Sequence, residues 1–262
     1  MSDVVRIDHQ GAVAVITLNR PESLNAMSPQ LLDDLCAAGQ QLADDAAVRC
    51  VVITGAGRAF CAGADIDYMK ALLERGDIEN FTMLVEAGRA VVTTLRETPK
   101  PVVASVNGPA AGGGANLALA CDIRIASDQA SIGQTFSRIG LHPDWGATYF
   151  LPRLVGPSRA FELFASGEMV GAEDALRLGL FSRVVPHDRL AAETRALALA
   201  LAAKPPLALA LAKKAVYASE SHGLSQMLDM ELEHQLRCFA SRDAREGFAA
   251  FLEKRQPSFQ GT

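Results

Sequence analysis

Three short stretches of this chain carry residues whose type and spacing can do chemistry. They are Cys61-Ala62-Gly63-Ala64-Asp65-Ile66, the triplet Gly112-Gly113-Gly114, and Leu141-His142-Pro143-Asp144-Trp145-Gly146. The first two are runs of small residues between a β-rich segment and a segment of helical composition. Glycine lets a backbone come close to a bound group, and the first N–H groups of a helix lack intrahelical acceptors. Aimed at a carbonyl oxygen, such an N–H stabilises the negative charge that develops there during a reaction. The same glycines also serve tight packing of a helix on a sheet, which needs no ligand. Neither loop is decisive alone; together they suggest two donors converging on one oxygen. The third stretch sets one carboxylate among apolar bulk. From the residues alone, Asp144 is either a base kept from water by Pro143, Trp145 and Phe150, or the N-cap of a helix over Gly146–Leu154.

Other chemistries find little support. Gly55-Ala56-Gly57-Arg58-Ala59-Phe60 begins like a dinucleotide fingerprint, but Phe60 replaces the third glycine and no acidic residue ends a clear second strand. Neither a G-x-S-x-G elbow nor a phosphate-binding Walker loop is present. His9, His187, His222 and His234 lack metal-ligand spacing, so no metal is expected. His142, beside Asp144, is a candidate second acid or base. The five cysteines are scattered, odd in number and without C-x-x-C, which points to reduced, buried thiols, Cys61 among them. With 262 residues, 49% hydrophobic and 21% charged, the chain suits one large globular domain or one with a modest extension. A net charge of −5 argues against a general nucleic-acid partner. The opening residues show no leader pattern, the final Gln-Gly-Thr is no peroxisomal signal, and no apolar run reaches the ~18 residues of a membrane span. A cytoplasmic protein with no membrane partner is expected.

The elements that must position these loops follow from periodicity. Val4–Asp8 and Ala12–Asn19 alternate as a hairpin around Gln10-Gly11. Ser28-Pro29 opens a helix whose apolar face is Leu31, Leu32, Leu35 and Leu42. Cys50–Thr54 and Val102–Val106 read as buried strands, Phe81–Thr98 as an amphipathic helix, Ala115–Ala120 as a short helix and Ile123–Ile125 as a strand. Helices are expected over Ser158–Ser166, Ala172–Leu178, Leu190–Ala203, Leu207–Ser219, Leu224–Ala240 and Arg242–Lys254, with a brief strand at Arg183–Val185. A weak ββα recurrence marks the first half. The shift to helix near Leu190 divides a core, 1–189, from a helical region, 190–262.

Four segments carry a resemblance: ITGAGRAFCAGADI, PVVASVNGPAAGGGANLALACDIRIAS, FSRIGLHPDWGATYFLPRLVG and EGFAAFLEKRQPSF. In this order they resemble the enoyl-CoA hydratase/isomerase (crotonase) family over essentially the whole chain. The resemblance implies an α/β fold, a spiral of ββα units with a C-terminal helical trimerisation region, assembled as a homotrimer or homohexamer. It also implies an acyl-CoA thioester as substrate, with coenzyme A part of that substrate and no separate cofactor. By motif position the two oxyanion N–H groups fall on Ala64 and Gly113. The thioester would further meet Ala62, Asp65, Ile66, Gly112 and His142, with Lys254 reaching coenzyme phosphates from a neighbouring subunit. Asp65 and Asp122 recur in the family as residues that cap or pair locally, and Asp67–Thr82 would help roof the pocket.

Hydratases of the family carry two glutamates, at positions that hold Asn116 and Phe136 here. Water addition needs one group to activate water and another to deliver a proton, and neither residue does either. Asp144 resembles the aspartate of several family isomerases, notably the epoxyphenylacetyl-CoA isomerase-like group. A single carboxylate suffices to move a proton from one carbon to another. The expected activity is therefore enoyl-CoA isomerisation, with Asp144 as proton shuttle and Asn116 as a positioning group. A hydratase of low or atypical activity, or a non-catalytic acyl-CoA-binding subunit, are the alternatives.

Overall fold

The computed structural model describes residues 3–262, so Met1 and Ser2 of the opening stretch lie outside the described residues. Strands β1 (Val5–Gln10) and β2 (Val13–Leu18) pair antiparallel around Gly11, whose φ of +66° favours glycine. The alternation of β2 buries Ala14, Ile16 and Leu18. Ser28 then caps α1 (Pro29–Asp44): its Oγ accepts from Leu31 N at 3.3 Å, and Pro29 occupies the first helical position, where an N–H would have no acceptor. Leu31, Leu32, Leu35 and Leu42 form its buried face, as the spacing predicts.

Strand β3 (Cys50–Gly55) follows, then α2 (Ile66–Arg75) and α3 (Ile78–Glu97). α3 starts earlier than its apolar periodicity suggests, because Asp77 caps it, accepting from Asn80 N at 3.1 Å. The chain continues through β4 (Val102–Val106), β5 (Ala110–Ala111), α4 (Gly113–Ala120), β6 (Ile123–Ser127) and β7 (Ser131–Gly133). A 3-10 turn at Thr135–Ile139 leads to α5 (Ala147–Val155), α6 (Pro157–Ser166), β8 (Met169–Gly171), α7 (Ala172–Arg177) and β9 (Arg183–Val185). Helices α8 (Leu190–Ala202), α9 (Pro206–Ala218), α10 (Leu224–Ala240) and α11 (Arg242–Glu253) complete the chain.

Six strands form a sheet in the order β1-β2-β3-β4-β6-β9, every neighbouring pair parallel except β1 with β2. Parallel strands covered on both faces read as continuous apolar runs, which is why Cys50-Val51-Val52-Ile53 and Val102–Val106 show no alternation. A second sheet, β5-β7-β8, lies beside the first, and isolated parallel bridges join Met27 to Ala64 and Cys61 to Ala110. Successive circuits of the chain place one strand in the large sheet, a short extended piece in this second layer, and then a helix. That is the ββα spiral the motifs imply. One face of the large sheet packs on α1, α3 and α4; Val13, Val52, Val103 and Ile125 on the other face meet Leu190, Ala198 and Ala202 of α8. Among the described residues, no single helix is long and apolar enough to cross a membrane.

Candidate active site

The second layer brings the two small-residue loops together backbone to backbone. Cys61 N donates to Pro109 O at 3.2 Å, Ala111 N to Cys61 O at 2.9 Å and Gly112 N to Gly133 O at 2.9 Å. On the far side, Met27 N donates to Gly63 O at 2.7 Å and Asp65 N to Met27 O at 3.2 Å. Ala64 N and Gly113 N take no part in this stitching, and Gly113 N, in the first turn of α4, has no intrahelical acceptor. The approach is close. A Cβ on Gly63, whose φ is +92°, would stand 2.7 Å from Ala111 O and 3.5 Å from Gly113 N. One on Gly114 would stand 2.2 Å from Cys61 O. The glycines thus serve both readings that the sequence left open: they pack one loop on the other, and in doing so they bring two N–H-bearing loop ends into one cavity wall.

That cavity, of about 70 Å³, is lined by Ala62, Gly63, Ala64, Gly112 and Gly113 together with Asp144, Phe136 and Trp145. Burial pushes the Asp144 carboxyl up to about 6, with the charge of His142 acting in the opposite direction. Its side chain does not cap α5: the N-cap is Gly146 (φ +82°), and Asp144 contributes only its backbone carbonyl, accepting from Ala147 N at 2.9 Å. The same carbonyl accepts from Asn116 Nδ2 at 3.0 Å, and Asn116 Oδ1 accepts from Gln134 Nε2 at 2.8 Å. Trp145, at φ +48°, lays its indole between two helices where glycine makes room. A Cβ on Gly88 of α3 would fall 1.7 Å from Trp145 Cε2, and one on Gly113 2.8 Å from Trp145 Cζ3.

The structure gathers Ala62, Ala64, Ile66, Gly112, Gly113 and Asp144 around this cavity, with Asn116 fully buried behind it. Asp65, expected to meet the substrate, does not line the cavity; as the cap of α2 it accepts from Tyr68 N at 3.3 Å and pairs with Arg20 at 2.9 Å. His142 is exposed and does not line the cavity. Lys254, the exposed left-handed C-cap of α11, does not line its own chain's cavity either. Of the three residues expected to shield Asp144, Trp145 lines the cavity beside it and Pro143 and Phe150 do not; Phe150 packs beneath Arg96, 5.0 Å from the guanidinium. Asp122 does not pair locally as expected: it accepts from Val102 N at 2.7 Å, Lys213 Nζ at 2.9 Å and Tyr217 Oη, groups on β4 and α9 that are distant in the chain. The Cys61 thiol is fully buried and pushed up to about 12 by that burial, as suits an inert packing group. Residues 67–82 wall a second, apolar cavity of about 490 Å³ that shares Ile66, Met69, Phe81, Ile139 and Leu141 with the first. Among the described residues no cluster of three or more His, Cys, Asp or Glu side chains is placed to hold a metal ion. Sequence reasoning did not single out Gln134, whose only signal was its place beside Phe136 in Gly133-Gln134-Thr135-Phe136.

The profile of the enoyl-CoA hydratase/isomerase family matches residues 8–262. The chain belongs to that family. A probable enoyl-CoA hydratase of Rhodobacter capsulatus is 43% identical over 257 residues, covering 98% of each chain. A 1,2-epoxyphenylacetyl-CoA isomerase of Escherichia coli is 41% identical over 250 residues, covering 95% of each. Among solved structures, an enoyl-CoA hydratase from Bacillus anthracis superposes with a TM-score of 0.95 at 36% identity, covering 99% of this chain and all of the other. The crotonase fold of the chain is therefore that of its family, and its relatives include proteins named for hydration and for isomerisation.

Proposed function

We propose that this family member is an acyl-CoA isomerase that shifts a double bond through a thioester enolate. The observation that carries the reading is the count of carboxylates at the cavity. Asp144 lines it, whereas the positions held by glutamate in family hydratases are an amide, Asn116, and a ring, Phe136. In the forward step the Asp144 carboxylate takes a proton from the carbon next to the thioester of a β,γ-enoyl-CoA. The electron pair moves onto the thioester oxygen, where Ala64 N–H and Gly113 N–H meet the growing charge; such a donor is worth roughly 3 kcal/mol in the transition state. The protonated Asp144 then returns its proton at the γ-carbon, and the electrons fall back to leave an α,β double bond. Atoms and charge balance without a second acid, a metal or a separate cofactor. A carboxyl whose pKa stands near neutrality suits a group that must both accept and give up the proton.

The names borne by relatives such as the Rhodobacter protein favour a second reading, hydration of an α,β-enoyl-CoA. The two are separated by offering wild type and Asp144→Asn both substrates in deuterated water. The isomerase reading expects double-bond migration, with deuterium entering the γ-carbon wherever the Asp144 proton exchanges with solvent before its return, and with the rate reduced at least about 10³-fold in the variant. Hydration of the α,β substrate that survives the substitution would overturn it. Binding of both thioesters with no exchange would leave only the acyl-CoA-binding role. We read the exposed apolar side chains of α10 and α11 as the subunit contact of a homotrimer, acting in the cytoplasm.

A further inference from the structure

Gln134 is a buried polar residue in an apolar niche. It is 3% exposed, and Leu119, Ile132, Leu151, Leu163 and Leu180 surround it. Its Nε2 has one partner, Asn116 Oδ1, and its Oε1 is buried with none. Stability alone would favour an apolar side chain there, since an unmet amide oxygen is unfavourable and the walls are hydrocarbon. The single satisfied contact leads toward Asp144.

The direction of that contact is forced. The Asp144 carbonyl can only accept, so Asn116 must present its Nδ2 to it, 3.0 Å away. Asn116 Oδ1 therefore faces the other way and requires a donor, which Gln134 Nε2 supplies at 2.8 Å. The carbonyl held in this way belongs to the peptide joining Asp144 to Trp145. Trp145 and Gly146 follow in succession at φ +48° and +82°, a conformation that non-glycine residues rarely adopt. That peptide adjoins the Cα from which the Asp144 side chain springs.

We propose that Gln134 is a positioning residue: through Asn116 it forms a two-amide relay that fixes the Asp144–Trp145 peptide and so aims the Asp144 carboxyl into the cavity. The inference rests on the reading of Asp144 as the base. Two substitutions test it beside Asp144→Asn, each assayed by deuterium exchange from pH 5.5 to 9. Gln134→Met keeps the shape, fills the niche and removes the donor. It should hold the melting temperature at or above wild type while kcat falls by about 10²-fold and KM stays within about twofold, the size of loss that a misaimed catalytic group brings. Gln134→Glu keeps a donor only while its carboxyl is protonated, and burial raises the pH at which that proton is lost. Its activity should follow wild type at the acid end and fall away as pH rises, turning a plateau into a bell. A purely structural role would move the melting temperature and leave the profile alone. Wild-type kcat in the Met variant, or a Glu profile running parallel to wild type, overturns the relay. Exchange that persists in Asp144→Asn sinks the reading of the base instead, whichever way the Gln134 variants behave.

Discussion

Asp144 has been made a weaker acid by folding, and that one change ties its chemistry to the stability of the fold. Its carboxyl titrates at about 6 in the folded chain, against an ordinary value near 3.9 when unfolded. Between those pH values the folded state holds a proton that the unfolded state has lost, so stability declines as pH rises through the window. Above it, the ionised carboxylate costs the fold about 3 kcal/mol. The proton-shuttle role needs that ionised form: kcat/KM for isomerisation should climb through about pH 6 and level off above it. Asp144→Asn removes the charge at nearly constant shape. It should melt above wild type at pH 7.5, with the difference closing as the pH falls toward roughly 4. A variant melting below wild type at pH 7.5 would mean that the carboxylate has a stabilising partner. Residues of this kind were unevenly legible. The donor loops could be suspected from small residues ahead of helices, and Asp144 from its resemblance to an isomerase aspartate. The contacts that place it could not be seen, because Gln134, Asn116 and Asp144 are distant in the chain and meet only through β7 and α4.

At the level of elements, the wall of the cavity depends on how closely α3 and α4 approach the Asp144 loop. Gly88 lies inside α3, where alanine is intrinsically preferred by roughly 1 kcal/mol. Here the sign reverses: the added Cβ would fall 1.7 Å from Trp145 Cε2, a ring atom wedged against Gly113 on its other side. Gly88→Ala should therefore destabilise the protein by about 1–3 kcal/mol and displace the indole. Trp145 is the only tryptophan in the chain, so its emission reports the displacement directly. A red-shifted maximum together with lower kcat/KM is expected; unchanged emission with a higher melting temperature would show that α3 yields instead. The elements themselves were mostly legible, since β3, β4 and α1 carry long apolar patterns. Strands β5 and β8 were not: two and three residues show no period, and they become strands only by pairing with β7.

Across the whole molecule, the C-terminal helices join the spiral unequally. α9 is tied down by the Asp122–Lys213 pair, with Lys213 Nζ also donating to Leu95 O at 3.0 Å and Lys100 O at 3.1 Å. α10 has little such attachment. Leu224, Leu228, Leu232, Leu236 and Phe239 recur every three or four residues along it, each more than half exposed, and Phe248, Phe251 and Leu252 are exposed on α11. A stripe of that length far exceeds the scattered exposed side chains that a monomer tolerates. The helical periodicity of these residues was visible in the sequence, but not which face would lack a partner within the chain, because that depends on where α9 docks. If the stripe is the subunit contact of a trimer, wild type should sediment as three chains, and Leu232→Asp with Leu236→Asp should release monomers by burying like charges against one another. Both residues lie outside the cavity wall, so any loss of turnover in that double variant would come through assembly. A KM increase on dissociation, with kcat held, would match a neighbour's Lys254 assisting coenzyme binding. A wild type that sediments as a single chain would overturn the trimer and leave Lys254 as an ordinary helix-end charge.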